Sequence, residues 1–255
     1  MTRSSSLPSA AAPGGRRAPQ DRLVAAVACD VWWMAPLHDD STASALLDDA
    51  ERARYAALRS PHDRARFATG RALARCALAF SLGTDPAAIA LVTRCPACGG
   101  PHGKPVMATN TGVDFSIAHA ADRVVVATSR GAAVGVDVER IRAVEGLDAP
   151  DAGVLGEAER AILRSLPEQQ RDAAFMRYWT RKEAVLKATG DGLVLPMAAL
   201  RVTAPDQPPA VTGWPEDGPG RAVRMLDLDA GRGYRACLAV LTDLPLRVTE
   251  RLPPP

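Results

Sequence analysis

The sequence predicts an α+β fold built as two halves of one chain. Three observations lead there. Some stretches alternate apolar and polar residues, as half-buried strands do. Others place apolar residues at three- and four-residue spacing, as helices do. The two kinds of segment follow one another twice in the order strand, helices, strands, with the halves meeting near residue 133. No residue-level repeat accompanies this order, so a duplication rests on element order alone.

The elements follow in sequence. Residues 24–33 read as a first strand and 43–58 as a helix carrying Arg52 and Arg54. A second helix covers 63–81, with Phe67, Leu73, Cys76, Ala77 and Phe80 on its apolar stripe, and Gly83 closes it. Residues 94–105 form a turn-rich loop. Strands at 113–117 and 124–128 flank His119; 129–131 is a turn, and 132–139 is the returning strand. A short helix at 156–166 precedes a long one at 168–188 that stops at Gly190 and Gly192. Strands near 200–203, 222–228 and 234–241 finish the chain, with a Pro/Gly-rich loop at 205–220.

The 255 residues, 47% hydrophobic and 24% charged, suit a globular protein that needs no metal or disulfide to hold its core. Residues 1–20 are rich in Ser, Ala, Pro and Gly and read as a disordered tail. The expected organisation is therefore a tail at 1–20, a first half at 21–133, a second half at 134–247 and a C-terminal tail at 248–255. A net charge of +2 is too small to argue for nucleic acid. It suits an acidic protein partner or a phosphorylated small molecule. No apolar run approaches the roughly 20 residues of a membrane span. Five cysteines, an odd count, and no signal peptide point to a reducing cytoplasm.

Lysine is rare: Lys104, Lys182 and Lys187 stand against 28 arginines among 31 basic residues. An ammonium is a compact point charge suited to one phosphate oxygen, whereas a guanidinium is a wide fork. Codon bias with three accidental survivors is the plain alternative. In GVDVE at 135–139, Val134, Val136 and Val138 share one face and Gly135, Asp137 and Glu139 the other. The two carboxylates lie roughly 6–7 Å apart along the strand. They suit Mg²⁺, which favours one or two carboxylates plus substrate phosphates, or else form the solvated face of an edge strand. Gly135 leaves room for a ligand or another backbone. In WTRKEAVLK at 179–187, Trp179, Glu183 and Lys187 fall within about 80° on one helix face. They read as a third carboxylate with a phosphate-binding lysine, or as a surface ion pair beside a core tryptophan. Cys95, Cys98 and His102 have zinc-knuckle spacing for three ligands without a clear fourth.

Together GVDVE, WTRKEAVLK, the Gly-Lys-Pro at 103–105, FSIAH at 115–119 and RARFATGRALAR at 64–75 resemble the 4′-phosphopantetheinyl transferase superfamily. The likeness is to its surfactin-synthetase-activating type and runs from about residue 22 to 242. The resemblance implies two pseudo-twofold-related halves with the active site in the cleft between them, acting as a monomer. It implies Mg²⁺-dependent transfer of phosphopantetheine from coenzyme A to a serine of an acyl or peptidyl carrier protein, with adenosine 3′,5′-bisphosphate released. Asp137, Glu139 and Glu183 would hold the metal, and Glu183 would be the candidate base. Lys187 would contact the pyrophosphate. Lys104 and His119 would bind coenzyme A phosphates, His119 the 3′-phosphate. Arg66 would hold the nucleotide end, with Arg52 and Arg54 as further candidates. Trp179 is assigned to packing, and Lys182 is left without a role. The family usually shows Asn-x-Ser-His-Ser where this chain has Ser116, Ala118, His119 and Ala120, so two hydroxyls near the phosphate are lost. Competing readings are a non-catalytic module of the same fold that binds coenzyme A or a carrier, and a small zinc-binding protein.

Overall fold

A computed structural model of the chain describes residues 25–38, 41–93, 99–100, 103–144, 146, 153–190, 192, 195–215 and 222–252. The expected N-terminal tail, Cys95, Cys98 and His102 lie outside the described residues.

The described elements begin with β1 (Val27–Met34). The single helix expected over 43–58 is two, α1 (Ser41–Ala45) and α2 (Asp49–Ala57). Asp48 makes the break. Its carboxylate accepts the Glu51 N–H at 2.8 Å while Glu51 accepts the Asp48 N–H at 3.1 Å, a reciprocal cap that starts a new helix. The long α3 (Pro61–Leu82) starts on a Ser60 cap with Pro61 in its first position and ends at Gly83, whose φ of 68° is left-handed. A two-strand ribbon of β2 (Leu91–Thr93) and β3 (Pro105–Met107) follows. Three residues per strand leave no alternation to read in the sequence.

Next come β4 (Val113–Ala120) and β5 (Arg123–Arg130), a hairpin turning at residues 121–122. His119 lies inside β4, opposite Val124, rather than between two shorter strands. The run Ala118-His119-Ala120 weakens the apolar signal, but the backbone pairing continues through it. Then follow β6 (Val134–Arg140), α4 (Glu157–Ser165), α5 (Glu168–Thr189), β7 (Arg201–Val202), β8 (Val211–Gly213), β9 (Val223–Leu228) and β10 (Tyr234–Leu241). Finally β11 (Leu246–Arg251) pairs in parallel with β1, so residues 248–251, expected as tail, belong to a sheet. Arg251 anchors this end by pairing with Asp30 at 2.7 Å and lying 4.4 Å over the Phe80 ring.

The result is α+β, in four layers: helix, sheet, sheet, helix. One sheet has the order β11-β1-β5-β4 and the other β6-β10-β9. Between them Val31, Val125 and Ala127 meet the valines of β6 and Leu238 and Val240 of β10. Burying this apolar surface is worth roughly 25 cal/mol per Å² removed from water. Leu73, Ala77 and Leu78 of α3 pack on Phe115, Val124 and Val126 outside the first sheet. Phe175, Val185 and Leu186 of α5 pack with Cys237 and Ala239 outside the second. No helix among the described residues is long and apolar enough to cross a membrane.

Two buried cations fix α5 in place. Lys182 is fully buried, and its ammonium donates to Glu159 Oε2 at 2.5 Å, Val154 O at 2.8 Å and Met197 O at 3.0 Å. All three of its donors are used. Glu159 in turn accepts the Gly156 and Val202 N–H groups. Lys182 therefore has a structural role, tying α5 to the start of α4 and to the segment before β7. Arg181, also fully buried, forks onto both oxygens of Asp227 at 3.1 and 2.7 Å and onto three carbonyls. Breaking a buried pair strands the remaining charge. Lys182→Met should cost about 3–5 kcal/mol in urea unfolding; a loss below about 1 kcal/mol would contradict this role.

Candidate active site

β6 presents its odd-numbered side chains to α5. The contact is closest at Gly135, where an added Cβ would lie 2.0 Å from Ala184 O and 2.5 Å from Ala188 N. Of the two occupants the sequence allowed at Gly135, it is a backbone that approaches. With α5 seated this tightly, Lys187, one turn along, reaches Asp137 Oδ1 at 2.6 Å and Val136 O at 3.2 Å.

The polar face of β6 is solvated only at its Glu139 end. Asp137 is 5% exposed, and its Oδ2 is buried with no hydrogen-bond partner. Burial raises its pKa, against the pull of Lys187. Glu139 is pushed up to about 7, first by desolvation and then by the Asp137 charge, with Arg142 and Lys187 opposing. Glu183 is also raised by desolvation and by Asp137, with Lys187 opposing. Three carboxylates thus stand within electrostatic reach of one another around one lysine. Among the described residues, however, no three His, Cys, Asp or Glu side chains converge as a ready metal cage.

The even-numbered backbone groups of β6 face β4, and side chains satisfy them in place of a strand partner. Asp114 Oδ2 accepts the Val134 N–H at 2.8 Å, and Ser116 Oγ accepts the Val136 N–H at 3.1 Å. Lys104 donates to Val134 O at 2.9 Å and to Asp114 at 2.6 Å. Lys104 and Lys187 therefore reach the same edge of one strand, at carbonyls two residues and roughly 7 Å apart. Each has spent two of its three donors. Asp114 was not singled out in the sequence, and Ser116 only as a departure from the family pattern; the seam role of the pair has no signal beyond two-residue spacing on β4. Arg142, beside Glu139, carried no signal beyond its charge.

The other expected residues divide into two groups. His119, near the end of β4, has its pKa lowered by desolvation, then by Arg66, with a smaller push from Lys187. Arg66 pairs with Asp63 and donates to Ala121 O at 3.4 Å. Arg66, His119 and Lys187 are thus brought into one neighbourhood. Arg52 and Arg54 lie on α2. Arg52 is tied to Asp49 at 2.6 Å and to the Leu47 carbonyl. Arg54 lies 5.5 Å from the centre of the Phe67 ring, which Arg71 also approaches, at 5.4 Å. Trp179 packs beside Phe175, ring centres 6.2 Å apart.

The model of the 4′-phosphopantetheinyl transferase superfamily matches residues 133–239, the stretch that holds β6, α5 and β10. The 4′-phosphopantetheinyl transferase HetI of Nostoc sp. is 32% identical over 168 residues, which cover 63% of this chain and 68% of that protein. The chain belongs to the 4′-phosphopantetheinyl transferase superfamily. Other members show the same likeness. The 4′-phosphopantetheinyl transferase of Bacillus subtilis is 27% identical over 69% of this chain and 75% of its own length. AcpT of Salmonella typhi, another 4′-phosphopantetheinyl transferase, is 33% identical over 91 residues, 47% of its length. Curated relatives across the superfamily are named as transferases of this class, and the chain is an enzyme of that class.

The seat of α5 on β6 can be tested by itself. Gly135→Ala would drive a methyl group into the Ala184 carbonyl, which backbone cannot yield cheaply. It should destabilise the protein by about 3 kcal/mol or more. A thermal melt that places the variant within about 1 kcal/mol of the parent would contradict the contact.

Proposed function

We propose that this transferase moves the 4′-phosphopantetheine group of coenzyme A onto a serine hydroxyl of an apo acyl or peptidyl carrier protein. The observation that carries the reading is the carboxylate set around Lys187, buried at Asp137 and half-buried at Glu139 and Glu183. In the reaction the serine oxygen forms a bond to the phosphorus that bears the pantetheine arm. The phosphoanhydride bond of the pyrophosphate breaks, and adenosine 3′,5′-bisphosphate leaves with the electron pair. The serine proton goes to a base.

Glu183 is the base we assign, because desolvation makes its carboxylate a stronger proton acceptor than one in water. Lys187 holds a pyrophosphate oxygen with its remaining donor. His119, Arg66 and the remaining donor of Lys104 bind the other phosphates of coenzyme A, His119 taking the 3′-phosphate. Arg52 and Arg54 are weaker candidates, since Arg52 is already paired and both lie on α2.

The donor set suits a divalent cation. Asp137 Oδ2 lacks any partner. Desolvation raises the pKa of all three carboxylates, and the Asp137 charge adds to the rise at Glu139 and Glu183, a strain that a cation would relieve. Asp137, Glu139 and Glu183 would hold Mg²⁺, which when bound neutralises charge building on the pyrophosphate. Since both halves, divided near residue 133, belong to one chain, the site needs no second copy, and we read the working form as a monomer.

Incubating the protein with an apo carrier, coenzyme A and Mg²⁺ should add one phosphopantetheine mass to the carrier, read by mass spectrometry. Fatty-acid, polyketide and nonribosomal-peptide carriers should be tried, and no mass gain on any of them would overturn the proposal. Glu183→Ala and Asp137→Ala should each abolish the gain. Full activity in either would overturn the role given to that carboxylate.

A further inference from the structure

A cleft of about 660 Å³ opens where α3, the β4–β5 turn, the end of β6 and the β9–β10 turn come together. Its wall is basic. Arg66, Arg123, Arg140 and Arg232 line it with His38 and His62, and Asp122 is the one carboxylate among its lining residues. The two histidine rings stack edge to face, 4.9 Å apart.

Two of the four guanidiniums are committed. Arg66 is held by Asp63 and the Ala121 carbonyl. Arg123 pairs with Asp122 at 2.8 Å, donates to Ala230 O at 3.2 Å and lies 5.0 Å over the Tyr234 ring. The Tyr234 hydroxyl bonds back to Asp122. This clasp ties the β4–β5 turn to the β9–β10 turn, and at its root Ala121 takes a left-handed φ of 48°, uncommon without glycine. The backbone on that side of the cleft is therefore fixed before any ligand arrives.

Arg140 and Arg232 are different. Both are exposed, and neither guanidinium has an ion pair or hydrogen bond among the described residues. They belong to one hairpin end: Arg140 is the register partner of Tyr234, and Arg232 lies two residues before it. Two free guanidiniums on a preformed polar wall match the oxygens of a phosphate monoester, to which each can fork. Arg140 follows Glu139 on β6 but points to the opposite face, the one whose valines pack toward the first sheet. Arg66, which also lines the cleft, adds to the desolvation that lowers the pKa of His119 and so links the cleft to that residue.

We infer that Arg140 and Arg232 form a phosphate-monoester site and, resting on the transferase reading, that they grip the 3′-phosphate of coenzyme A from the second half while His119 and Arg66 approach it from the first. Neither arginine is part of the motifs on which the family resemblance rests.

The test compares coenzyme A with 3′-dephospho-coenzyme A, which lacks only this phosphate, by isothermal titration calorimetry. The parent should bind coenzyme A more tightly than the dephospho form. Arg140→Ala/Arg232→Ala should weaken coenzyme A by roughly tenfold or more and leave the dephospho form unchanged, so that the preference disappears. Arg140→Gln and Arg232→Gln should each show part of that loss, which separates the effect from a general collapse of the site. A parent with no preference would overturn the inference. So would a double variant that weakens both ligands equally or keeps the parent's preference. Failure here with carriers still modified would leave the transferase reading intact. Loss of preference with no carrier ever modified would leave the phosphate site standing without that reading.

Discussion

The backbone of α5 lies directly on β6 because residue 135 has no side chain. Any Cβ there would push the helix away and carry Glu183 and Lys187 with it. The contact also explains why Asp137 is dry. Asp137 sits under the helix, so its charge must be met by Lys187 at 2.6 Å, and its second oxygen is left with nothing. A buried carboxylate oxygen without a partner is costly. Here that cost falls where a cationic ligand would remove it. Arg181 and Lys182 serve the same end from below, since each spends its whole donor set holding α5 to the rest of its half.

A second constraint comes from the edge of β6. It faces β4 without a backbone ladder, yet its N–H and C=O groups at 134 and 136 are paired through Asp114, Ser116, Lys104 and Lys187. Unpaired strand edges are sites of unwanted association, and this one is closed by side chains. The two lysines thereby serve the structure. They brace the seam, and each retains one donor that can face a phosphate. Ser116 is likewise a seam residue, so the departures from the family pattern on β4 concern Ala118 and Ala120 more than Ser116.

Much of this was legible in the sequence where periodicity and motif agreed. The β6 alternation, the extent of α5 and β10, and the α+β class could all be read directly. Boundaries failed where a local polar group overrode the pattern: Asp48 split one expected helix into two, and His119 hid the continuation of β4. The strand β11 was missed because Arg247, Glu250 and Arg251 dilute its alternation, and its pairing with β1 joins opposite ends of the chain. Within the site the acids and Lys187 were visible as motif. The role of Lys182 was not, because a lysine between Arg181 and Glu183 looks like surface until Glu159, 23 residues away, is brought against it. The free arginines at 140 and 232 carry no spacing signal; only the fold places them on one cleft.

The central claim is that buried Asp137, with half-buried Glu139 and Glu183, becomes a cation site once a substrate phosphate joins them. Electron paramagnetic resonance of Mn²⁺, used in place of Mg²⁺, tests this without relying on turnover. With coenzyme A present, one bound Mn²⁺ per chain is expected, with weaker binding when coenzyme A is absent and none in Asp137→Asn. Mn²⁺ binding that ignores coenzyme A and survives Asp137→Asn, or no binding at all, would contradict the account.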